Sequence, residues 1–154
     1  MTNNPTWLLV VAALIRDRGG RVLLQQALPN KPHAGQWEFP GGKVETDENP
    51  RFALCREIAE ELGLTLVEQM MVPAAFAEEN DQRAQPAIVL ILYDCPQWTG
   101  EPQSREGQAW GWFTMTEAAA LPLAALDRTL LEGIAKPRTR PYVAPSKRAR
   151  SSAG

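Results

Sequence analysis

The chain has 154 residues, of which 44% are hydrophobic and 22% charged, a length and balance typical of one globular domain. Six of its 16 Lys and Arg residues lie in 136–154, a stretch without acids, so residues 1–135 hold ten basic residues against 18 acidic ones, a net charge of −8. This acidic body argues against a general nucleic-acid binder, because phosphate backbones require neutralising cations. It suits a phosphate-processing enzyme only if metal ions bridge its carboxylates to substrate phosphates.

Cysteine spacing and hydropathy exclude further classes of protein. Cys55 and Cys95 match no metal-binding pattern, and we expect both to be small buried residues in a reducing cytosol. The longest apolar run near the start of the sequence, residues 7–15, is too short to span a bilayer and follows no basic segment. We therefore expect a cytoplasmic protein with no membrane partner.

Strand patterns dominate the first part of the chain. The continuous apolar run at 7–15 predicts a strand buried on both faces. The charged, Gly-containing turn that follows predicts that this strand and the next form a hairpin. A polar loop and a short strand then lead into a tight glycine loop at Gly41 and Gly42. The predicted strand, turn, returning strand, loop and short strand lie at 7–15, 16–20, 21–26, 27–36 and 37–39.

The sequence around residues 50–62 predicts a helix with defined ends. Asn49 can cap its first turn, and Pro50 suits the first helical position. Gly63 is placed for a left-handed residue that ends the helix.

The second half of the chain predicts strands, then helices, then a tail. A helical stretch from Thr116 is interrupted by Pro122. We assign residues 1–136 to one domain and 137–154 to a basic tail that is disordered and has no specific nucleic-acid partner. The predicted strands lie at 67–77, 87–94 and 109–113, and the last helix lies at 125–135.

The predicted helix at 50–62 carries a core-facing stripe and a separate acidic face. Its acids are three and four residues apart, so their carboxylates can converge on one point. An isolated pattern of this kind is usually a solvated acidic face, but here the glycine loop before the helix offers exposed carbonyls. Carboxylate and carbonyl oxygens are the ligands of Mg²⁺. The stripe comprises Leu54, Cys55, Ile58, Ala59 and Leu62, and the acidic face Glu57, Glu60 and Glu61.

The segment from Gly42 to Leu64 resembles the Nudix box, GX5EX7REUXEEXGU with U aliphatic, at every fixed position. The sequence WEFPGGKVE at residues 37–45 is similar to the MutT-type branch of that family, whose members sanitise nucleotide pools. This resemblance implies an α/β fold of the α+β type, with a mixed β-sheet sandwiched between helices. The matching residues are Gly42, Glu48, Arg56, Glu57, Glu60, Glu61 and Gly63.

The same resemblance implies a metal site and its scaffold. Glu57, Glu60 and Glu61 would hold Mg²⁺, or Mn²⁺ in its place, with the Gly41 carbonyl and a further acid that matches Glu106. Arg56 and Glu48 would orient the glutamates, with Gly42 and Gly63 as fixed backbone positions of the box. Lys43 beside the glycine loop, Phe39 and Ala125 are the expected substrate contacts.

The implied reaction is cleavage of a nucleoside triphosphate to the monophosphate and pyrophosphate by in-line attack of water. Its proton acceptor is Glu57 or Glu106. An arginine and an asparagine that MutT-type enzymes use on the substrate are replaced here by Ala27 and Ala125, so the base is open between 8-oxo-dGTP, CTP or dCTP, and a broad set of dNTPs. Lys31, Arg21 or His33 could supply the missing cation. Alternatives are hydrolysis of dinucleoside polyphosphates or nucleotide sugars, and a binding module without turnover.

Aromatic residues leave one more alternative open. Trp98, Trp110 and Trp112 are either core residues or a platform on which a base stacks. We favour the core, because aromatic side chains in a small sheet protein are usually buried.

Overall fold

The computed structural model describes residues 7–79 and 86–136; the predicted basic tail from 137 lies outside these ranges. Secondary structure within them alternates between short strands and helices. The strands are β1 (Trp7–Leu14), β2 (Val22–Gln26), β3 (Trp37–Glu38), β4 (Gly41–Lys43), β5 (Thr65–Leu66), β6 (Val72–Glu78), β7 (Ala87–Asp94), β8 (Trp98–Thr99) and β9 (Trp110–Phe113). The helices are α1 (Pro50–Leu62), a 3-10 turn at Glu68–Met70, α2 (Met115–Ala120) and α3 (Ala125–Ala135).

A mixed four-stranded sheet in the order β4-β1-β7-β6 forms the centre of the fold. β1 runs parallel to β7, whereas β4 pairs with β1 and β6 pairs with β7 in antiparallel fashion. α1 contacts β1 and β4, and α3 contacts β6. The expected arrangement, a mixed sheet between helices, is confirmed.

The two faces of β1 belong to two hydrophobic cores. Val11 and Ala13 face the core that contains Leu54 and Ile58 of α1. Ala12, Leu14 and their neighbours face the core that contains Leu130 of α3. Burial on both faces is therefore confirmed for the second half of β1, whereas Trp7 at its start is exposed.

A second sheet, in the order β3-β2-β9, lies beside the first. The predicted hairpin between β1 and β2 is only half right. The two segments meet at an Arg16–Val22 bridge and through the Leu23 N–H bond to Ile15 O, 3.0 Å. They then separate, because β2 pairs with β3 and β9 on its two edges.

Helix α1 forms with the ends that the sequence predicts. The Asn49 side chain accepts a hydrogen bond from Phe52 N–H at 2.8 Å. Gly63 adopts a left-handed conformation with φ 69° and donates its N–H to Ala59 O. Each cap satisfies a backbone group that a helix end leaves unpaired.

Three strand assignments differ from the prediction. The glycine loop continues into a strand, β4, because Gly42 lies opposite Val11 in β1. The predicted strand at 67–77 is divided by the 3-10 turn, and β6 begins only at Val72. The sequence analysis missed β8, which pairs with β5 over two residues. Short pairings of this kind depend on a partner strand distant in sequence.

The helices after β9 follow the predicted pattern, although α2 begins at Met115, one residue before the predicted start, with Thr114 as its cap. Trp98 and Trp112 stack with ring centroids 5.8 Å apart and pack, with Trp110, against the α1-side core, which supports the core interpretation. Cys95 is buried as expected, whereas Cys55 is half-buried. None of the helices in the two described ranges is long and apolar enough to cross a membrane.

Candidate active site

The three glutamates of α1 lie in different environments. The Glu60 side chain is 56% exposed and the Glu57 side chain 18% exposed, while Glu61 as a residue is 8% exposed. The helix is rolled relative to the predicted stripe, so that Glu61 turns inward and Ala59, expected in the core, is exposed. Ala53 is fully buried in its stead. The acidic face is therefore partly interior.

Arg56 connects most of these acids. It donates Nε to Glu48 Oε2 at 2.7 Å and Nη2 to Glu48 Oε1 at 2.8 Å, a bidentate pair. Its Nη1 donates to Glu57 Oε1 at 3.0 Å and to Glu60 Oε2 at 3.3 Å. The hydrogen bond from Arg56 lowers the pKa of Glu48 to about 2. The predicted contact between Arg56 and Glu48 is confirmed.

The two glycines before α1 permit close contacts on both sides of β4. A Cβ at Gly41 would lie 2.0 Å from Val11 O, inside the backbone of β1. Hydrogen-bonded pairs alternate along an antiparallel ladder. Because Ala13 N–H bonds to Pro40 O and Val44 N–H bonds to Leu9 O, the Gly41 carbonyl points away from β1. It remains available to a ligand.

Electrostatics distinguish the inward acids. The pKa of Glu61 is raised to about 8, mainly by burial and also by the charges of Glu57 and Glu106, while the hydrogen bond from Gln25 opposes the rise. Burial likewise raises the pKa of Glu57, against the hydrogen bond from Arg56. Like charges gathered in a partly dry site favour protonation unless a cation offsets them. The cluster of Glu57, Glu60, Glu61 and Glu106 therefore favours a bound cation.

Glu106 lies on the loop that crosses the end of α1. The loop backbone donates Gln103 N–H to Leu62 O at 2.9 Å and Arg105 N–H to Glu61 O at 3.1 Å. The Arg105 side chain also donates to Ala59 O. Carbonyls of the last turn of α1 thus accept hydrogen bonds from this loop, and Glu106 lies close enough for its charge to raise the pKa of Glu57 and Glu61.

The donor set of this cluster fits a hard divalent cation, since every donor is an oxygen. Over residues 7–79 and 86–136, no three His, Cys, Asp or Glu side chains already surround one point closely enough to hold an ion. The Arg56 guanidinium donates hydrogen bonds to two of these carboxylates, Glu57 and Glu60.

The expected substrate contacts are placed unequally. Lys43 is exposed beside the cluster. Phe39 is 3% exposed in the α3-side core, so the structure does not place it at an open surface. Ala125 is exposed at the start of α3 and carries no polar group. The polar residue of that turn is Asp127, whose Oδ1 accepts from Phe39 N–H at 2.9 Å.

The sequence analysis missed Asp127. It is 6% exposed, and its pKa is raised to about 7, mainly by burial and also by the charge of Glu38, against the hydrogen bond from Phe39 N–H. A signal was present, because Asp127 is the acid among apolar residues at helical spacing, Leu123, Leu130 and Leu131. A carboxyl on the buried stripe of a helix usually has a specific partner.

The residues that could replace the missing arginine are engaged elsewhere or exposed. Ala27 is buried. Arg21 is paired with Asp17 at 2.7 Å, and His33 Nε2 lies 2.6 Å from Glu38 Oε2. Lys31 is exposed on the loop.

A separate depression lies on the sheet surface away from these acids. It has a volume of about 410 Å³. Its lining residues are apolar: Pro73, Ala74, Ala75, Phe76, Val89 and Ile91. It offers no group for phosphate or metal chemistry, so the acidic cluster at α1 is the candidate active site.

Comparison with known proteins agrees with this geometry. Residues 6–134 match the NUDIX domain family. The chain belongs to the Nudix family. The family and fold expected from the box are thereby confirmed, and Glu57, Glu60 and Glu61 occupy the box positions on α1.

Individual Nudix relatives are similar over most of their length. A CTP pyrophosphohydrolase of Escherichia coli is 42% identical over 123 residues, which cover 80% of this chain and 87% of the relative. An 8-oxo-dGTP diphosphatase of Haemophilus influenzae is 36% identical over a region that covers 67% of this chain and 73% of the relative. The crystal structure of a MutT Nudix hydrolase from Burkholderia pseudomallei superposes with a TM-score of 0.73 at 32% identity. The superposition covers 83% of this chain and 98% of that structure.

Proposed function

We propose that this Nudix protein is a Mg²⁺-dependent nucleoside triphosphate pyrophosphohydrolase that cleaves CTP or dCTP to the monophosphate and pyrophosphate. The observation that carries the proposal is the acidic cluster on α1 in box register, with Arg56 bridging Glu57 and Glu60. The MutT-type class of reaction follows from relatives at 30–42% identity.

Glu57, Glu60, Glu61, Glu106 and the Gly41 carbonyl are the proposed metal ligands, and Mn²⁺ is the expected substitute. When bound, the cation neutralises charge on the phosphates and on the developing transition state. The exposed and half-buried glutamates, Glu60 and Glu57, supply ligands that can turn. Buried Glu61 supplies a ligand whose position is fixed by its surroundings.

The protein groups have separate tasks in this mechanism. Arg56, anchored on Glu48, holds the carboxylates of Glu57 and Glu60 until the cation binds. One carboxylate accepts the proton of the attacking water, and the candidates are Glu57, whose Oε2 is not bonded to Arg56, and Glu106, which is exposed. Lys43, the exposed last residue of β4, is the proposed phosphate contact.

Base recognition is proposed for Asp127 and Glu38 in place of Ala125. Glu38 is opposite Gln25 in the pairing of β3 with β2, so its side chain lies on the face that leads to Glu61. Asp127 holds a proton on a large fraction of molecules near neutral pH, because its pKa is about 7. A protonated Asp127 and the carboxyl oxygens of Glu38 together offer a donor and acceptors. Cytosine presents the complementary set, an N4 amino donor and ring acceptors.

CTP is favoured over 8-oxo-dGTP by two observations. The CTP pyrophosphohydrolase relative has the higher identity of the two enzymes compared, 42% against 36%. The chain also lacks the amide expected of an oxidised-purine site, since Ala125 stands at that position.

The proposal is tested with a panel of CTP, dCTP, 8-oxo-dGTP, the canonical dNTPs, a dinucleoside polyphosphate and a nucleotide sugar, each with Mg²⁺. We expect the highest kcat/KM for CTP or dCTP, with monophosphate and pyrophosphate as products. Preference for 8-oxo-dGTP would overturn the base assignment alone. Turnover of only the diphosphate-linked compounds would overturn the substrate class, and binding without turnover of any compound would indicate a binding module.

A further inference from the structure

Three buried polar side chains form one hydrogen-bonded unit behind the acidic cluster. The buried polar residues of the described ranges are Gln25, Glu61, Gln108 and Asp127. The first three are bonded to one another, although they come from β2, from α1 and from the segment before β9. Every buried side-chain nitrogen and oxygen in these ranges has a hydrogen-bond partner. Burying two amides beside a carboxylate is unfavourable unless each bond is made.

The unit is a chain of donors and acceptors that ends on Glu61. Gln25 Nε2 donates to Glu61 Oε2 at 3.0 Å. Gln108 Nε2 donates to Gln25 Oε1 at 3.3 Å and to the backbone oxygen of Glu61 at 2.9 Å. Glu61 is thus held at its side chain and at its backbone by two connected amides.

The same chain continues to the loop that carries Glu106. Gln108 Oε1 accepts from Glu106 N–H at 3.0 Å and from Ser104 Oγ at 3.1 Å. A primary amide donates only through nitrogen and accepts only through oxygen. Turning Gln108 over would place its oxygen against the oxygens of Glu61 and Gln25 and its NH₂ against Glu106 N–H. The orientation of both amides is therefore fixed by their partners.

We propose that Gln25 and Gln108 are positioning residues that fix how Glu61 presents its carboxylate and hold the Glu106 loop against α1. Gln25 donates to Glu61 Oε2, and Glu61 Oε1 is the oxygen that we assign to the cation. Gln108 then couples two proposed ligands from different elements, α1 and the loop before β9. This inference rests on the proposed metal-dependent function of the same site.

The neighbouring glutamine of β2 provides a matched comparison. Gln26 points to the opposite side of the strand, where its Nε2 donates to Gly35 O at 2.8 Å. It has the same side chain in the same strand and bonds to a loop remote from Glu61. Replacing Gln26 therefore removes a glutamine from β2 but leaves the hydrogen-bonded unit of Gln25, Gln108 and Glu61 intact.

The experiment uses Gln25→Met, Gln108→Met, the double variant and Gln26→Met, since methionine keeps nearly the same shape without polar atoms. The Mn²⁺ dissociation constant is measured by electron paramagnetic resonance in the absence of nucleotide, and kcat and KM are measured with the preferred triphosphate. Urea unfolding identifies conditions in which each variant is folded. Residues that orient metal ligands typically change affinity or activity by about 10- to 100-fold. We expect a loss in that range for Gln25→Met and Gln108→Met, and none for Gln26→Met.

The double variant separates a bridge from two independent packing effects. If the amides act as one unit, the double variant loses no more Mn²⁺ affinity than the weaker-binding single variant. Multiplicative losses, or variants with lowered stability but Mn²⁺ affinity and kcat within twofold of the parent, would overturn the inference. If Gln25→Met does not fold, the same loss of Mn²⁺ affinity is tested with Gln108→Met, which removes the amide next to the Glu106 loop. A parent that neither binds Mn²⁺ nor turns over a triphosphate would instead overturn the proposed function, and this inference with it.

Discussion

The Glu57 carboxylate lies against the α-carbon of Gly42. A Cβ at position 42 would lie 2.4 Å from Glu57 Cδ and within 2.7 Å of both its oxygens. Such distances are far below van der Waals contact, so β4 and α1 can approach this closely only at a glycine. Gly42 and Glu57, two fixed positions of the box, are thus in direct contact.

Gly42→Ala should therefore reduce activity more than stability. The added methyl displaces the flexible end of a glutamate and no backbone atom, so the fold can accommodate it. A displacement of about 1 Å in a catalytic group can lower the rate by about 100-fold, and we expect a loss of kcat of that order. Steady-state kinetics and urea unfolding of the same preparation measure both quantities.

Two other glycines provide the comparison for this variant. Gly19→Ala places its Cβ 3.5 Å from Asp17 Oδ1, an ordinary contact far from the site, and should leave kcat unchanged. Gly41→Ala would collide with the backbone of β1 and should impair folding. Equal activity of the Gly42→Ala variant and the parent would contradict the contact with Glu57.

Arg56→Lys tests the guanidinium as the group that orients the glutamates. Arg56 makes two parallel bonds to Glu48 and two further bonds to Glu57 and Glu60. An ammonium keeps the charge but cannot form this planar set. We expect kcat to fall by about 10- to 100-fold with a smaller change in KM. The exposed Arg18 serves as control, because Arg18→Lys should change neither constant.

The caps of α1 could be read from the sequence because their interactions are local. Asn49 bonds to a residue three positions away, and Gly63 bonds to one four positions away. Arg56 and Glu48 are eight positions apart within the same segment. The part of the site formed by α1 and the residues just before it could therefore be predicted from the spacing of the box.

The other half depends on contacts between distant segments. Phe39 and Asp127 are separated by 88 positions, and Gln25 and Gln108 by 83. Neither pair has a local pattern, since burial of a polar group depends on which strand or helix covers it. The same reason explains why β4 was predicted as a loop. Its three residues gain strand geometry only from pairing with β1.

Asp127 gives the stability of the protein a specific dependence on pH. Its pKa rises from 3.8 to about 7 on folding because of burial, so the folded state binds the proton more tightly than the unfolded state. Its contribution favours folding below the unfolded pKa and is lost as pH rises towards and through about 7. Relative to Asp127→Asn, which keeps the Oδ1 acceptor for Phe39 N–H, the parent should lose up to about 4 kcal/mol between pH 4 and pH 8.

Urea unfolding at intervals across that pH range measures the difference between parent and Asp127→Asn. Using the difference removes the titration of other groups that the two proteins share, Glu61 among them. A difference that stays constant with pH would show that Asp127 has an ordinary pKa in the folded protein.

The central claim is that the glutamates of α1 hold the cation that cleaves the triphosphate. The direct test is pyrophosphate release from CTP as a function of Mg²⁺ concentration for the parent, Glu60→Gln, Glu61→Gln and the control Glu132→Gln on the exposed face of α3. Removing a transition-state charge partner should lower kcat by at least about 100-fold. We predict Mg²⁺-dependent release by the parent and by Glu132→Gln, and loss of that release in both α1 variants. Release that persists without divalent cations, or that survives in Glu60→Gln and Glu61→Gln, would contradict the account.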